Sequence, residues 1–239
     1  MSQLERAILM HSQSNLFRLL QITDSFFPSG AFAYSRGLET YVNEEIIRDR
    51  RGLEKFLRAY LTGLTAKNDA LFLKLSWEAV EREELNTILR LDRLTHSMRL
   101  AKELREGSLQ AGRQLLKVMR TLHSSNLLEN FAAEVETGKA WGHHPVVFAL
   151  VCGALEIRRE DSVMAYLYQT VSGIVSAGVR LIPLGHLDGQ RAIEEMRPVA
   201  MKIAGDLVPL IEDDLSSFAP AIEIRAMRHE CLYTRLFRS

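Results

Sequence analysis

Leu53 to Val80 reads LEKFLRAYLTGLTAKNDALFLKLSWEAV, and its spacing decides the fold class. Leu53, Phe56, Leu57, Tyr60, Leu61 and Leu64 recur in steps of three and four, which places them on one face of a helix. Lys67-Asn68-Asp69 breaks the run, and Ala70, Leu71, Leu73, Leu75, Trp77 and Val80 resume it. A half-buried strand would alternate instead.

The helical period extends outward from there. Leu85, Ile88, Leu91 and Leu94 make one stripe. Leu100, Leu104, Ala111, Leu115, Met119 and Leu122 make another in a long helix expected from Met98 to His123. Ser124-Ser125-Asn126 ends it, and a short helix carrying Phe131 and Val135 closes at Gly138. Pro145 suits the first turn of the next helix, where its missing N–H costs nothing. Asp161 is the expected N-cap of a helix over Val163–Leu181, and Arg191–Leu210 forms the last long one. Pro183, Gly185, Asp188 and Gly189 punctuate between these two, and no hairpin signal occurs anywhere. The spacing predicts a single all-α domain over residues 1–239, a bundle of roughly nine or ten helices. Residues 1–14 are expected as a flexible N-terminus and 216–239 as a tail.

Composition narrows the function classes. The 239 residues, 47% apolar and 25% charged, suit one soluble domain with an ample core. Lys+Arg 30 against Asp+Glu 30 leaves no broad basic face, so no nucleic acid partner is expected. The N-terminus lacks the layout of a signal peptide, and the longest apolar run, Pro145–Leu155, is far short of a membrane span. A cytoplasmic location is expected, with Cys152 and Cys231 as reduced thiols.

Chemical motifs are sparse. There is no phosphate-binding G-x-x-x-x-G-K-[ST]. His143 and His144 are adjacent and point about 100° apart on a helix, so they cannot share an ion as an i, i+4 pair would. Helix capping is the plainer role for them. The consecutive ligand types of His229-Glu230-Cys231 seldom converge on one metal, so no metal site is expected. Asp213-Asp214 reads as a solvated helix end. Ser25, Ser29 and Ser35 lack a G-x-S-x-G setting, and the chain order does not place His96, His143 or His186 beside them. An all-α hydrolase with a serine nucleophile is the enzymatic alternative.

Three stretches rise above an ordinary core. DSFFPSGAFAYSRGLE, Asp24 to Glu39, crowds Phe26, Phe27, Phe32 and Tyr34 around Pro28, Gly30 and Gly37, as an active-site loop, a ligand pocket or a protein-binding surface would. Gly173 and Ala177, with Ser172 and Ser176, give one helix two rows of small residues that admit another backbone, and Arg180 follows them. The tail SSFAPAIEIRAMRHECLYTRLFRS sets Ile222, Ile224, Met227, Leu232, Leu236 and Phe237 against Arg225, Arg228, Arg235 and Arg238. A tail this apolar docks on its own domain or on a partner.

These stretches resemble the urease accessory protein F (UreF) family. The family pattern D-S-x-x-P-x-G-x-x-x-x-S-x-G-L-E is met at Asp24, Ser25, Pro28, Gly30, Ser35, Gly37, Leu38 and Glu39. HPVVFALVCGAL, SAGVRLIPLGHLDGQ and IEIRAMRHECLYTRLFRS follow in family order, so the resemblance covers nearly the whole chain. His186 departs from it, standing where the family more often has glutamine.

The resemblance implies an all-α homodimer that is not an enzyme and holds no cofactor of its own. It implies a chaperone for nickel insertion into urease, with nickel and GTP handled by partner proteins. Those partners are a second accessory protein, UreH (UreD in many organisms), the GTPase UreG, and apo-urease, whose active-site lysine is carbamylated and which takes up two nickel ions. Whether such a protein accelerates GTP hydrolysis, gates it or only holds the parts together is left open. On this basis Phe26, Phe27, Pro28, Tyr34 and Glu39 are expected to meet the GTPase assembly, with Glu39 facing a basic surface and Arg180 a candidate arginine finger. Arg228, His229, Glu230, Arg235, Leu236 and Phe237 are expected to meet UreH, and Tyr168, Gly173 and Ala177 to form the dimer contact.

Overall fold

The computed structural model describes residues 3–30 and 34–238, with side chains at Met10 and from residue 12 onward. Among them every regular element is helical. The order is α1 (Gln3–Thr23), α2 (Leu38–Asn43), α3 (Arg50–Tyr60), a π-helical segment (Leu61–Asp69), α4 (Ala70–Glu81), α5 (Leu85–Met98), α6 (Lys102–Leu122), α7 (Asn126–Glu136), α8 (His144–Ala154), α9 (Arg159–Leu181), α10 (His186–Asp206), a 3-10 turn (Glu212–Asp214) and α11 (Pro220–His229). No helix among the described residues is long and apolar enough to cross a membrane.

The bundle is built around α8. Every residue from His144 to Cys152 is buried, so this helix is apolar all round rather than striped. It packs against α4 and α6, with α7 and α9 beside it. Pro145 sits in its first turn, as its position predicts. Outside this centre, α9 pairs with α10 along a seam where Gly189 brings its backbone against Val175 and Val179. Gly178 lies on Leu53 of α3, so a Cβ there would stand 2.8 Å from Leu53 Cδ2.

Several local expectations are corrected. The break at Lys67-Asn68-Asp69 is no break: α3 runs through the π-helical segment into α4 without leaving the helical path. Its wider turn is marked by Ala70 N–H donating to Thr65 O and by Thr65 Oγ1 bonding Tyr60 O, both five-residue steps. α6 starts at Lys102 rather than Met98, and Leu100, in the preceding link, is exposed instead of joining its stripe. Asp161 lies inside the first turn of α9 and pairs with Arg158, the N-cap residue. Asp188 and Gly189 fall within α10. The tail, expected without regular structure of its own, carries α11, with Pro220 in its first turn. Residues 3–14 belong to α1.

Candidate functional site: a loop that grips the tail

The stretch after α1 is a chain of local turns. Asp24 Oδ1 accepts the N–H of Phe26 at 2.7 Å, and Asp24 O accepts that of Phe27 at 3.1 Å, which turns the chain off the helix. The two neighbouring phenylalanines then part: Phe26 is 94% exposed and Phe27 6%. Phe27 belongs to the core, and the expectation that it serves as a surface anchor is corrected accordingly. Pro28 is exposed, Tyr34 is half-buried with its hydroxyl on Gln110, and Phe32 lies outside the described residues. Gly37 caps α2 at φ 86, and a Cβ there would touch Ala226 of α11 at 3.5 Å. Glycine supplies both the left-handed turn and the close approach of the tail helix.

Glu39 holds that tail. Its carboxylate is buried and accepts the N–H of Leu236 at 2.6 Å and of Phe237 at 3.1 Å. It also meets His229 Nε2 at 2.8 Å. The other ring nitrogen, Nδ1, meets Glu103 at 2.7 Å, and Glu103 takes Arg235 at 3.1 Å on its second oxygen. Burial raises the pKa of the Glu103 carboxyl, against the pull of His229 and Arg235. Along α2, Thr40 bonds Arg225 O, Glu44 pairs with Arg225 and Arg228, and the Arg225 guanidinium lies 4.3 Å from the Tyr41 ring centre. Glu39 therefore faces the chain's own C-terminus, not a basic surface outside.

The tail is accordingly part of the fold. His229 and Phe237 are buried and Arg235 is tied to Glu103, whereas Leu236 is 63% exposed and Arg228 and Glu230 lie at the surface. Arg180 joins the same constellation: its guanidinium stacks 4.4 Å from the Phe237 ring centre and its Nε donates to Ser176 O. An open groove between the tail and the start of α6 is lined by Glu103, Glu106, Arg235, Leu236, Phe237 and Arg238. Of the dimer residues, Tyr168 is exposed and Gly173 faces open space, but Ala177 is fully buried within its own subunit. Motif, arginine and tail, read separately in the sequence, meet at one place.

The histidine pair has a structural setting. Asp92 of α5 accepts the N–H groups of Trp141, Gly142 and His143, which fixes the lead into α8. His143 Nδ1 contacts Ser108 at 3.1 Å and its Nε2 contacts His96 at 3.1 Å. Burial holds the His143 pKa down at about 2, so this imidazole is no base for Ser108 near neutrality. Ser35 is turned toward the backbone, its Oγ accepting the N–H of Glu39 at 3.3 Å. Among those residues no cluster of three or more His, Cys, Asp or Glu could hold a metal ion. Both cysteines are free thiols. Asp92 and Glu103 carry no signal in the sequence, since each looks like an ordinary acid on a polar helix face.

Comparison with known proteins then decides the lineage. The UreF family model matches residues 47–197. The urease accessory protein UreF of Bacillus sp. (strain TB-90) is 35% identical over 95% of this chain and 100% of its own length. That of Lachnoclostridium phytofermentans is 37% identical over 94% and 98%, and one from Actinobacillus pleuropneumoniae 34% identical over 92% and 97%. The chain belongs to the UreF family. The span matched by the UreF model runs from just before α3 into α10, the central bundle. The UreF relatives align over nearly the whole chain, beyond that core.

Proposed function

We propose that this chain is a cytoplasmic, non-enzymatic chaperone of urease maturation that acts as a homodimer. It joins a UreH (UreD)-type accessory protein to a UreG-type GTPase and supports GTP-dependent nickel insertion into apo-urease, with nickel and GTP handled by those partners. Membership of a family whose curated relatives are named urease accessory proteins supports the maturation role. The observation that carries the scaffold reading is the convergence at Glu39. One buried carboxylate fastens the loop, the tail and, through Phe237, Arg180 into a single surface unit. Such a unit presents Phe26 and Leu236 outward on a fixed frame, and pre-ordered anchors lower the entropy lost on binding.

Arg180 serves this assembly by holding Phe237; as an arginine finger it would first have to leave that ring. Activation of urease in vitro with each accessory protein omitted in turn, scored by nickel content, tests the role: omission of this chain leaves urease without full metal. Single-turnover GTP hydrolysis by the assembled complex with Arg180→Ala separates the two uses of the arginine. An unchanged rate removes the finger and leaves the scaffold.

A further inference from the structure

The loop before α2, the π-helical segment, α6, α8 and α9 enclose a half-open cavity of about 40 Å³. Arg36, Tyr60, Asp69, Arg99, His144 and Tyr166 reach its wall. Arg99 pairs with Asp69 through Nη2, and the Tyr166 hydroxyl donates to the second Asp69 oxygen at 3.3 Å. The Nε of Arg99 is buried and has no hydrogen-bond partner among the described residues. Arg36 holds a left-handed φ of 58, a conformation that costs a residue with a side chain, and its guanidinium lies 5.8 Å from the Tyr60 ring centre.

Both guanidiniums border this space. Burial is the largest influence on Arg36 and pulls its pKa down, but Tyr60, Tyr166 and Asp69 outweigh it. His144 is held down at about 3 by burial first, then by Arg36 and Arg99. The pair of arginines has one carboxylate, Asp69. Glu103 also lines the cavity but is committed to His229 and Arg235. His229 lies between the Glu39 and Glu103 carboxylates and Arg235 takes the second Glu103 oxygen, so those two acids are already engaged. Glu223 borders a smaller hollow beyond Arg99, and burial alone raises its pKa, with no arginine offsetting it. A partly buried positive charge is therefore left over beside the cavity, and the part taken from water is costly.

We propose that this cavity binds a small planar monoanion of the carboxylate type, the size of formate or bicarbonate, between Arg36 and Arg99. A guanidinium presents a flat fork that matches such an ion. The space of about 40 Å³ has room for an ion of three or four heavy atoms. Sulfate brings two charges where one is left over, and chloride has no pair of oxygens for the fork.

The test titrates the full-length protein with formate, bicarbonate, chloride and sulfate at constant ionic strength, following the melting temperature. Formate or bicarbonate should raise it along a saturating curve, with half-saturation at least tenfold below that of chloride, and sulfate should give no saturating rise. Saturation by formate alone assigns a free carboxylate as the ligand, and by bicarbonate alone the hydrated form of carbon dioxide. Arg36→Met should abolish the effect while circular dichroism shows its helices retained. Calorimetric titration of the unaltered protein with formate and bicarbonate gives a reading that no variant can confound, one site per chain for at least one of them. Equal responses to all four salts, or a saturating response kept by folded Arg36→Met, overturns the proposal and leaves the cavity to water.

Discussion

Glu39 shows what a single residue does here and how little of it the sequence could tell. The motif marks the position, but its partners lie as far as 198 residues away, at His229, Leu236 and Phe237. Only folding brings them within reach. Glu39→Gln keeps the shape but removes the charge and sets an amide N–H₂ against one of these donors. It should cost about 2–3 kcal/mol, the range for a charged hydrogen-bond partner lost from a buried site. Urea unfolding measures the loss, and faster tryptic cleavage at Arg235 reports the freed tail. His143 and His144 make a second residue-scale prediction. Their folded pKa values, about 2 and about 3, lie below the usual histidine value of ~6.5, so the unfolded chain binds protons that the folded chain refuses. Their contribution is complete above pH ~6.5 and declines as pH falls toward the folded values. The two together set a slope of about 2.7 kcal/mol per pH unit once the unfolded histidines are charged. His96, also depressed by burial, adds to it, while Asp92 and Glu103, whose pKa values are raised, offset it only in the carboxylate range. Urea midpoints between pH 6.5 and 5.5 should fall accordingly, and His143→Gln should remove about a third to a half of that dependence.

Among the elements, amphipathic helices such as α3 and α6 were legible because each needs only its own residues to declare a face. What escaped were features set by neighbours: the π-helical turn at Leu61–Asp69, the later start of α6, and the helix in the tail. Glycines behave likewise, since their spacing says nothing of what stands opposite. Gly112 of α6 faces the backbone leading into α8, where an added Cβ would lie 2.2 Å from Gly142 O and 2.7 Å from His144 N. Backbone held by Asp92 cannot move aside, so Gly112→Ala should cost about 3 kcal/mol or more. Gly173 of α9 meets nothing within 4 Å. Gly173→Ala should instead stabilise the monomer by about 0.5–1 kcal/mol through helix propensity. Urea midpoints of the two variants should move in opposite directions. The second also probes the proposed dimer contact: analytical ultracentrifugation should show weaker self-association if Gly173 lets a partner backbone approach.

At the scale of the molecule, the all-α class followed from composition and period alone, but the tail's allegiance did not. Its apolar residues fit self-docking and partner docking equally, and only the contacts of His229 and Phe237 show that part of it is spent inside the chain. This changes how a partner role is tested. Removing everything after Pro220 strips His229 and Arg235 from Glu39 and Glu103 and uncovers α2, so lost partner binding would follow from damage to the fold alone. The decisive variants separate the tail's inner and outer faces. Phe237→Ala opens the core beneath Arg180 and should cost about 3 kcal/mol or more. Leu236→Ala keeps the backbone N–H that Glu39 accepts and removes only an exposed side chain, so its unfolding midpoint should change by less than about 0.5 kcal/mol. If the tail's outer face meets the UreH-type protein, Leu236→Ala should weaken that complex by tenfold or more, read by titration calorimetry, although the chain is as stable as before. Unchanged affinity would mean that the tail works for this fold and that the partner binds elsewhere.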